Sequence, residues 1–177
     1  MSNLRLLDET TISASTSSVD ITDVFSADYD IYKIVTNNFS TAGTDACNLN
    51  GRFINSSGSV ITASNYDYGY YIMKPETTFV QYKAANQARL INLFAVTDQS
   101  PESASSVTWV FTPFSSSTYT YVLNQSTRVG SGGQYRMHKY VGCFTQTTSL
   151  SGFNMYEDET RPFSSGVIRT YGLRVDS

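Results

Sequence analysis

Short runs of β-branched and aromatic residues, each closed by Gly, Ser or Asn, recur along almost the whole chain. Tyr29-Asp-Ile-Tyr-Lys-Ile-Val-Thr, Asn48-Leu-Asn-Gly-Arg-Phe-Ile-Asn, Leu90-Ile-Asn-Leu-Phe-Ala-Val and Val107-Thr-Trp-Val-Phe are of this kind. So are Thr118-Tyr-Thr-Tyr-Val-Leu, Tyr135-Arg-Met-His-Lys-Tyr-Val and Val167-Ile-Arg-Thr-Tyr-Gly-Leu. Stiff branched and flat ring side chains suit a pleated, half-buried surface and lose more in a helix. The spacing predicts an all-β fold of about ten short strands, a β-sandwich or jelly roll, in a single domain over residues 1–177. Residues 1–16 read either as an edge strand or as an arm docking on a neighbour. Ser56-Ser-Gly-Ser, with Gly58 free to take a positive φ, predicts a hairpin between Asn48–Asn55 and Val60-Ile-Thr. The polar stretch Thr97 to Ala104, with Pro101, predicts a second, longer hairpin joining Leu90–Val96 to Val107–Phe111. Ala84 to Leu90 is the one helical candidate, and no repeat of 20–50 residues points to a propeller or solenoid.

Composition narrows the class further. Ser and Thr supply 46 of 177 residues, aromatics 14% and charged residues 15%, against about 25% charged in ordinary domains. A hydrophobic share of 40% can build a core, which excludes disorder. Heptads and a spanning helix of roughly 18 apolar residues are both missing, so neither a coiled coil nor membrane insertion is expected. The net charge of −3 and the scattered lysines argue against nucleic acid, which wants a clustered basic face. Met1 to Glu9 holds no apolar stretch of a secretory signal, so synthesis in a cytoplasm is expected. Asn38, Asn55 and Asn124 each open an Asn-x-Ser pattern that, without secretion, reads as turn composition.

Few residues offer chemistry. Cys47 and Cys143 read as two small buried hydrophobes, and with one histidine they build no metal framework. Strand alternation puts His138 on one face with Arg136 and Tyr140, opposite Tyr135, Met137, Lys139 and Val141; it reads as an ordinary sheet residue. Glu157-Asp-Glu and the pair Asp20 and Asp23 are acidic clusters without calcium-loop spacing. Ser131-Gly-Gly lacks the Lys-Ser/Thr of a phosphate loop. No catalytic, metal or cofactor site is expected. In Asn65-Tyr-Asp-Tyr-Gly-Tyr-Tyr, alternation places Tyr66, Tyr68 and Tyr70 on one face. Such a row reads as core with a subunit contact, or as a platform on which sugar rings stack. Arg161, Arg169 and Arg174 read as intersubunit carboxylate partners.

Several stretches, in order, resemble small virion proteins of tailed bacteriophages, those of cyanophages included. Ser17-Ser-Val-Asp-Ile-Thr-Asp-Val followed by Tyr29-Asp-Ile-Tyr-Lys-Ile-Val-Thr-Asn-Asn-Phe is similar to their opening. Leu49-Asn-Gly-Arg-Phe and Ser64-Asn-Tyr-Asp-Tyr fit a first hairpin leading into an aromatic strand. Phe163-Ser-Ser-Gly-Val-Ile-Arg-Thr-Tyr-Gly-Leu is similar to their closing strand. The chain departs from that pattern in the insert Tyr156 to Pro162 and in Thr170, where many relatives carry an aliphatic residue. The resemblance implies a non-enzymatic structural protein of the virion, displayed as a capsid decoration (cement or head-fibre) protein, or otherwise as a tail-fibre, adaptor or baseplate component. It implies a homo-oligomer, a trimer first, that contacts major capsid or tail proteins. A carbohydrate-binding module contacting host surface glycans is the reading of another class.

Overall fold

The sandwich is shown, with twelve strands rather than ten among the described residues. The structure, a computed structural model, describes residues 3–13, 16–42, 47–96, 103–130, 133–157 and 161–174. The strands are β1 (Leu4–Ile12), β2 (Ser18–Ile21), β3 (Ile31–Thr41), β4 (Cys47–Asn55), β5 (Tyr66–Met73) and β6 (Val80–Gln87). They continue as β7 (Leu90–Val96), β8 (Ala104–Phe111), β9 (Thr120–Gly130), β10 (Gln134–Phe144), β11 (Leu150–Glu157) and β12 (Phe163–Leu173). All pair antiparallel, in an eight-stranded sheet of order β1-β12-β3-β8-β9-β10-β5-β6 and a four-stranded sheet of order β2-β11-β4-β7.

Three local expectations change. Ala84–Leu90 is not helical: Val80–Gln87 pairs with β5 as an edge strand, and a bend leads into β7. Seven residues are too few to offset helix nucleation, so partner strands decide. The Ser56–Ser59 turn forms, with Gly58 at φ 80° and the Asn55 side-chain oxygen accepting from the Ser57 and Ser59 amides. Its return strand shrinks to the single bridge Ile54–Val60. The expected second hairpin does not exist. β7 pairs with β4 in the small sheet, whereas β8 pairs with β3 and β9 in the large one. Both strands carry apolar inner residues, and each buries them better from opposite sides of one core than side by side. Its connection, residues 97–102, lies outside the described residues, as do Ser131 and Gly132.

The core is mostly rings. Phe53 of β4 lies within 5.3–6.4 Å of Phe25, Tyr66, Phe144 and Phe153, and Phe39 packs edge-on against Phe94 and Phe163. These contacts join the two sheets. The Tyr32 hydroxyl donates to the Ser26 carbonyl and accepts from its amide, tying the turn before β3 to the core. The first and last stretches of the virion-protein resemblance meet in space: β3 pairs along β12, and the Tyr29 ring occupies the room a Cβ at Gly172 would need.

Thr170 of β12 is fully buried on the inner face, and its hydroxyl has no hydrogen-bond partner among the described residues. Thr170→Val keeps the shape and removes that stranded polar atom. It should raise the unfolding free energy by about 1 kcal/mol, read as a higher urea midpoint at constant m-value.

Candidate functional site

The tyrosine row lies in the core. Tyr66 is fully buried, Tyr70 is 7% exposed and Tyr68 is half-buried against them, so the row offers no open platform for sugar or subunit. The reason is the small sheet, which covers this side of β5. The Tyr66 hydroxyl donates to the Ile61 carbonyl and accepts from the Phe53 amide, and burial pushes its pKa up to about 12. Tyr68, Tyr70, Tyr82 and Tyr140 stack at 5.0–6.1 Å with interplanar angles under 30°, and the His138 ring joins them on Tyr70. Asn92, at φ 56° in β7, donates from its side-chain amide to the Tyr70 hydroxyl. Burial first, then the Tyr68 and Tyr70 hydroxyls, pushes the Tyr140 pKa up.

His138 is 1% exposed. Burial foremost, then the Arg128 guanidinium and more weakly that of Arg136, pulls its pKa down to about 4, with the nearby Asn92 backbone opposing. The imidazole is therefore neutral in the fold and protonated in the unfolded chain below about pH 6.5. Its contribution to stability is complete above that pH and drains away as pH falls toward about 4. The whole span is worth roughly 3 kcal/mol. His138→Phe, which keeps a ring on Tyr70, should flatten stability between these limits in urea titrations at several pH values. An unchanged slope would refute the assignment.

The remaining residues singled out above disperse. Arg169 has a carboxylate partner within the chain: its Nε donates to Glu9 Oε2 at 2.6 Å, joining β12 to β1. Sheet pairing brings Glu9 and Arg169 directly opposite, which supplies the carboxylate locally. Arg161 and Arg174 lie beyond opposite ends of β12, where their amides donate to Glu157 Oε1 and the Asn3 carbonyl. Glu157 is buried, while Asp158 and Glu159 lie outside the described residues. Asp20 accepts from the Asn154 side chain at 2.6 Å, and Asp23 occupies a left-handed turn position at φ 56°. Cys47 is buried as expected; Cys143 is only half-buried, because it faces away from the small sheet, and the two do not form a disulfide. Burial, then the Asp67 carboxylate, pushes the Cys143 pKa up. Among the described residues no three His, Cys, Asp or Glu side chains gather as a metal site.

What the sheet does bring together is its outer face. Strand register builds cross-strand rows there. One runs Lys33, Trp109, Leu123, Val141, Gly69 and Lys83 over β3, β8, β9, β10, β5 and β6. The next rows on either side hold Phe111, Tyr121, Cys143 and Asp67, and Val107, Gln125, Lys139 and Tyr71. Beyond these lie Ser105, Thr127, Met137 and Met73. Tyr71, Tyr121, Leu123, Met137 and Val141 are each about half exposed or more. The Lys33 ammonium sits 5.5 Å from the Trp109 ring centre. Gly69 leaves a gap in this lattice: two shallow grooves of about 620 and 540 Å³ meet there, sharing Gly69, Lys83 and Val141. A Cβ at Gly69 would meet nothing closer than 3.6 Å, so the gap is real space rather than a tight approach.

Sequence alone did not single out this face, although β9 and β10 carry large apolar side chains on both alternations, as strands covered on both faces do. No protein-family model, curated protein or solved structure matches the chain.

Proposed function

We propose that the chain is a non-enzymatic structural protein of a tailed-phage virion, held on the particle as a capsid decoration protein and self-associating there. A tail-fibre, adaptor or baseplate position is the alternative placement. The observation that carries the reading is the outer face of the eight-stranded sheet. Monomeric soluble proteins rarely leave more than a few hundred Å² of contiguous apolar surface open. Here Tyr71, Tyr121, Leu123, Met137 and Val141 line neighbouring strands with few charges between them. Aromatic and Met enrichment with charge depletion marks the centre of a protein interface.

The test is incorporation. Mass spectrometry of purified particles should find the chain in intact virions, and its absence would sink the proposal. Leu123→Asp, at a half-exposed position outside the core, should lower the copies retained per particle at least tenfold while leaving the thermal midpoint within a few degrees.

A second reading, contact with host glycans, moves with the rings. The grooves beside Gly69, lined by Tyr71, Tyr121, Lys83 and Lys139, are where a sugar would stack. A glycan array run with wild type and Tyr71→Ala checks it.

A further inference from the structure

The outer face is patterned by size. In the rows of Phe111 and Trp109 the bulky side chains stand on β8 and β9, and the small ones, Cys143 and Gly69, on β10 and β5. In the two rows beyond, the order reverses: Val107, Ser105 and Thr127 are on β8 and β9, while Tyr71, Met137 and Met73 are on β10 and β5. Across these four strands the Phe111, Trp109 and Ser105 rows are larger on one side of the β9–β10 boundary than on the other, and in the Val107 row two long polar side chains, Gln125 and Lys139, face each other across it. We infer that this face pairs with the same face of a second copy about a two-fold axis running parallel to the strands between β9 and β10. The inference deepens the reading of the face as an assembly surface and rests on it.

The axis follows from chemistry as well as size. A two-fold interface is self-complementary: a residue i that meets j of the partner is matched by j of its own copy meeting the partner's i, so every contact off the axis occurs twice. Turning one copy about this axis lays β8 over the partner's β5 and β9 over its β10, row on row. Trp109 then drops into the gap at Gly69 of the other copy. Leu123 meets Val141, Gln125 meets Lys139, and the methionines cover Thr127 and Ser105. The alternative axis, perpendicular to the strands, also matches sizes. However, it sets Val141 against Lys139 and Leu123 against Gln125, burying polar groups on apolar ones. The pairings that do not help, Lys33 with Lys83 and Phe111 with Asp67, fall at the rim, where water screens charge.

Area agrees. Six strands, from β3 to β6, straddle the axis three and three. At about 4.8 Å between strands and about 3.3 Å per residue over eight residues, they span roughly 750 Å² per copy. A standard interface takes about 800 Å² per partner. Aligned packing of two twisted sheets, about 10 Å apart, is the ordinary way to cover such a face.

The experiment is a size swap followed by analytical ultracentrifugation of the full chain. Wild type should sediment as a dimer, twice 19.6 kDa. Trp109→Gly and Gly69→Trp should each weaken dimerisation at least a hundredfold, and the double variant should restore most of it, because the gap has exchanged places with the ring. Lys83→Glu, facing the partner's Lys33, should tighten the dimer at low salt. Circular dichroism confirms that each variant folds, and neither Trp109 nor Gly69 is a core position. A monomeric wild type, a trimer indifferent to both single variants, or a double variant as weak as the singles would overturn the inference. So would a glycan that occupies the face and leaves the chain monomeric. A dimer that passes these tests while the chain is missing from particles overturns the virion reading alone. A chain found on particles that fails the swap overturns the two-fold alone.

Discussion

Phe53→Ala should destabilise the fold by about 3–5 kcal/mol, the range for deleting a buried ring and leaving its cavity. Phe53 is fully buried and touches Phe25, Tyr66, Phe144 and Phe153, so residues of both sheets line the hole it leaves. Its amide also donates to the Tyr66 hydroxyl, so a backbone shift toward the cavity would strain a buried hydrogen bond. Those surroundings cannot collapse easily, which places the cost at the upper end. Total stability of a domain is about 5–15 kcal/mol, so a third or more would be lost. Urea denaturation at neutral pH checks it. Phe53→Leu, which fills most of the volume, should cost well under half as much, and equal costs would show that the ring cluster does not join the sheets.

Gly152→Ala should cost about 3 kcal/mol or more despite adding one carbon. Gly152 sits in β11 at an irregularity in its register with β4, and a Cβ there would overlap the Ile21 carbonyl oxygen and press on Thr22. The obstacle is backbone, which has no rotamer to yield. β2 must then lift from β11, exposing Ile21 and Val19 and uncoupling the Val24 and Phe25 amides from the Ser151 carbonyl. Hydrogen exchange should show protection lost first in β2 and the turn after it. Gly58→Ala provides the contrast. Nothing lies within 4 Å of its Cβ position, so only the cost of a positive φ, about 1 kcal/mol, is expected.

Much of the local structure was legible. Period-two alternation placed Tyr66, Tyr68 and Tyr70 together, and set His138 and Tyr140 against Met137, Lys139 and Val141, as the strands have them. Gly58 marked its turn. What alternation could not say is which side of a strand is inside. A period of two fixes parity and leaves the sign open, because the sign depends on which face the second sheet covers. The tyrosine row, readable from sequence either as core with a subunit contact or as a sugar platform, is core in the structure. The residues opposite, passed over as ordinary, form the open face. Arg169 and Glu9, 160 positions apart, became partners only through β1–β12 pairing.

Side-chain shape and backbone freedom within a few residues suffice to fix an all-β chain, the Gly58 turn, and which residues share a side of each strand. Tertiary structure alone decided that β7 and β8 part into different sheets and that the aromatic row turns inward. It also set the row order on the outer face. Those outcomes come from pairings between strands far apart in the chain, where burial of the combined surface, rather than any local preference, selects the arrangement.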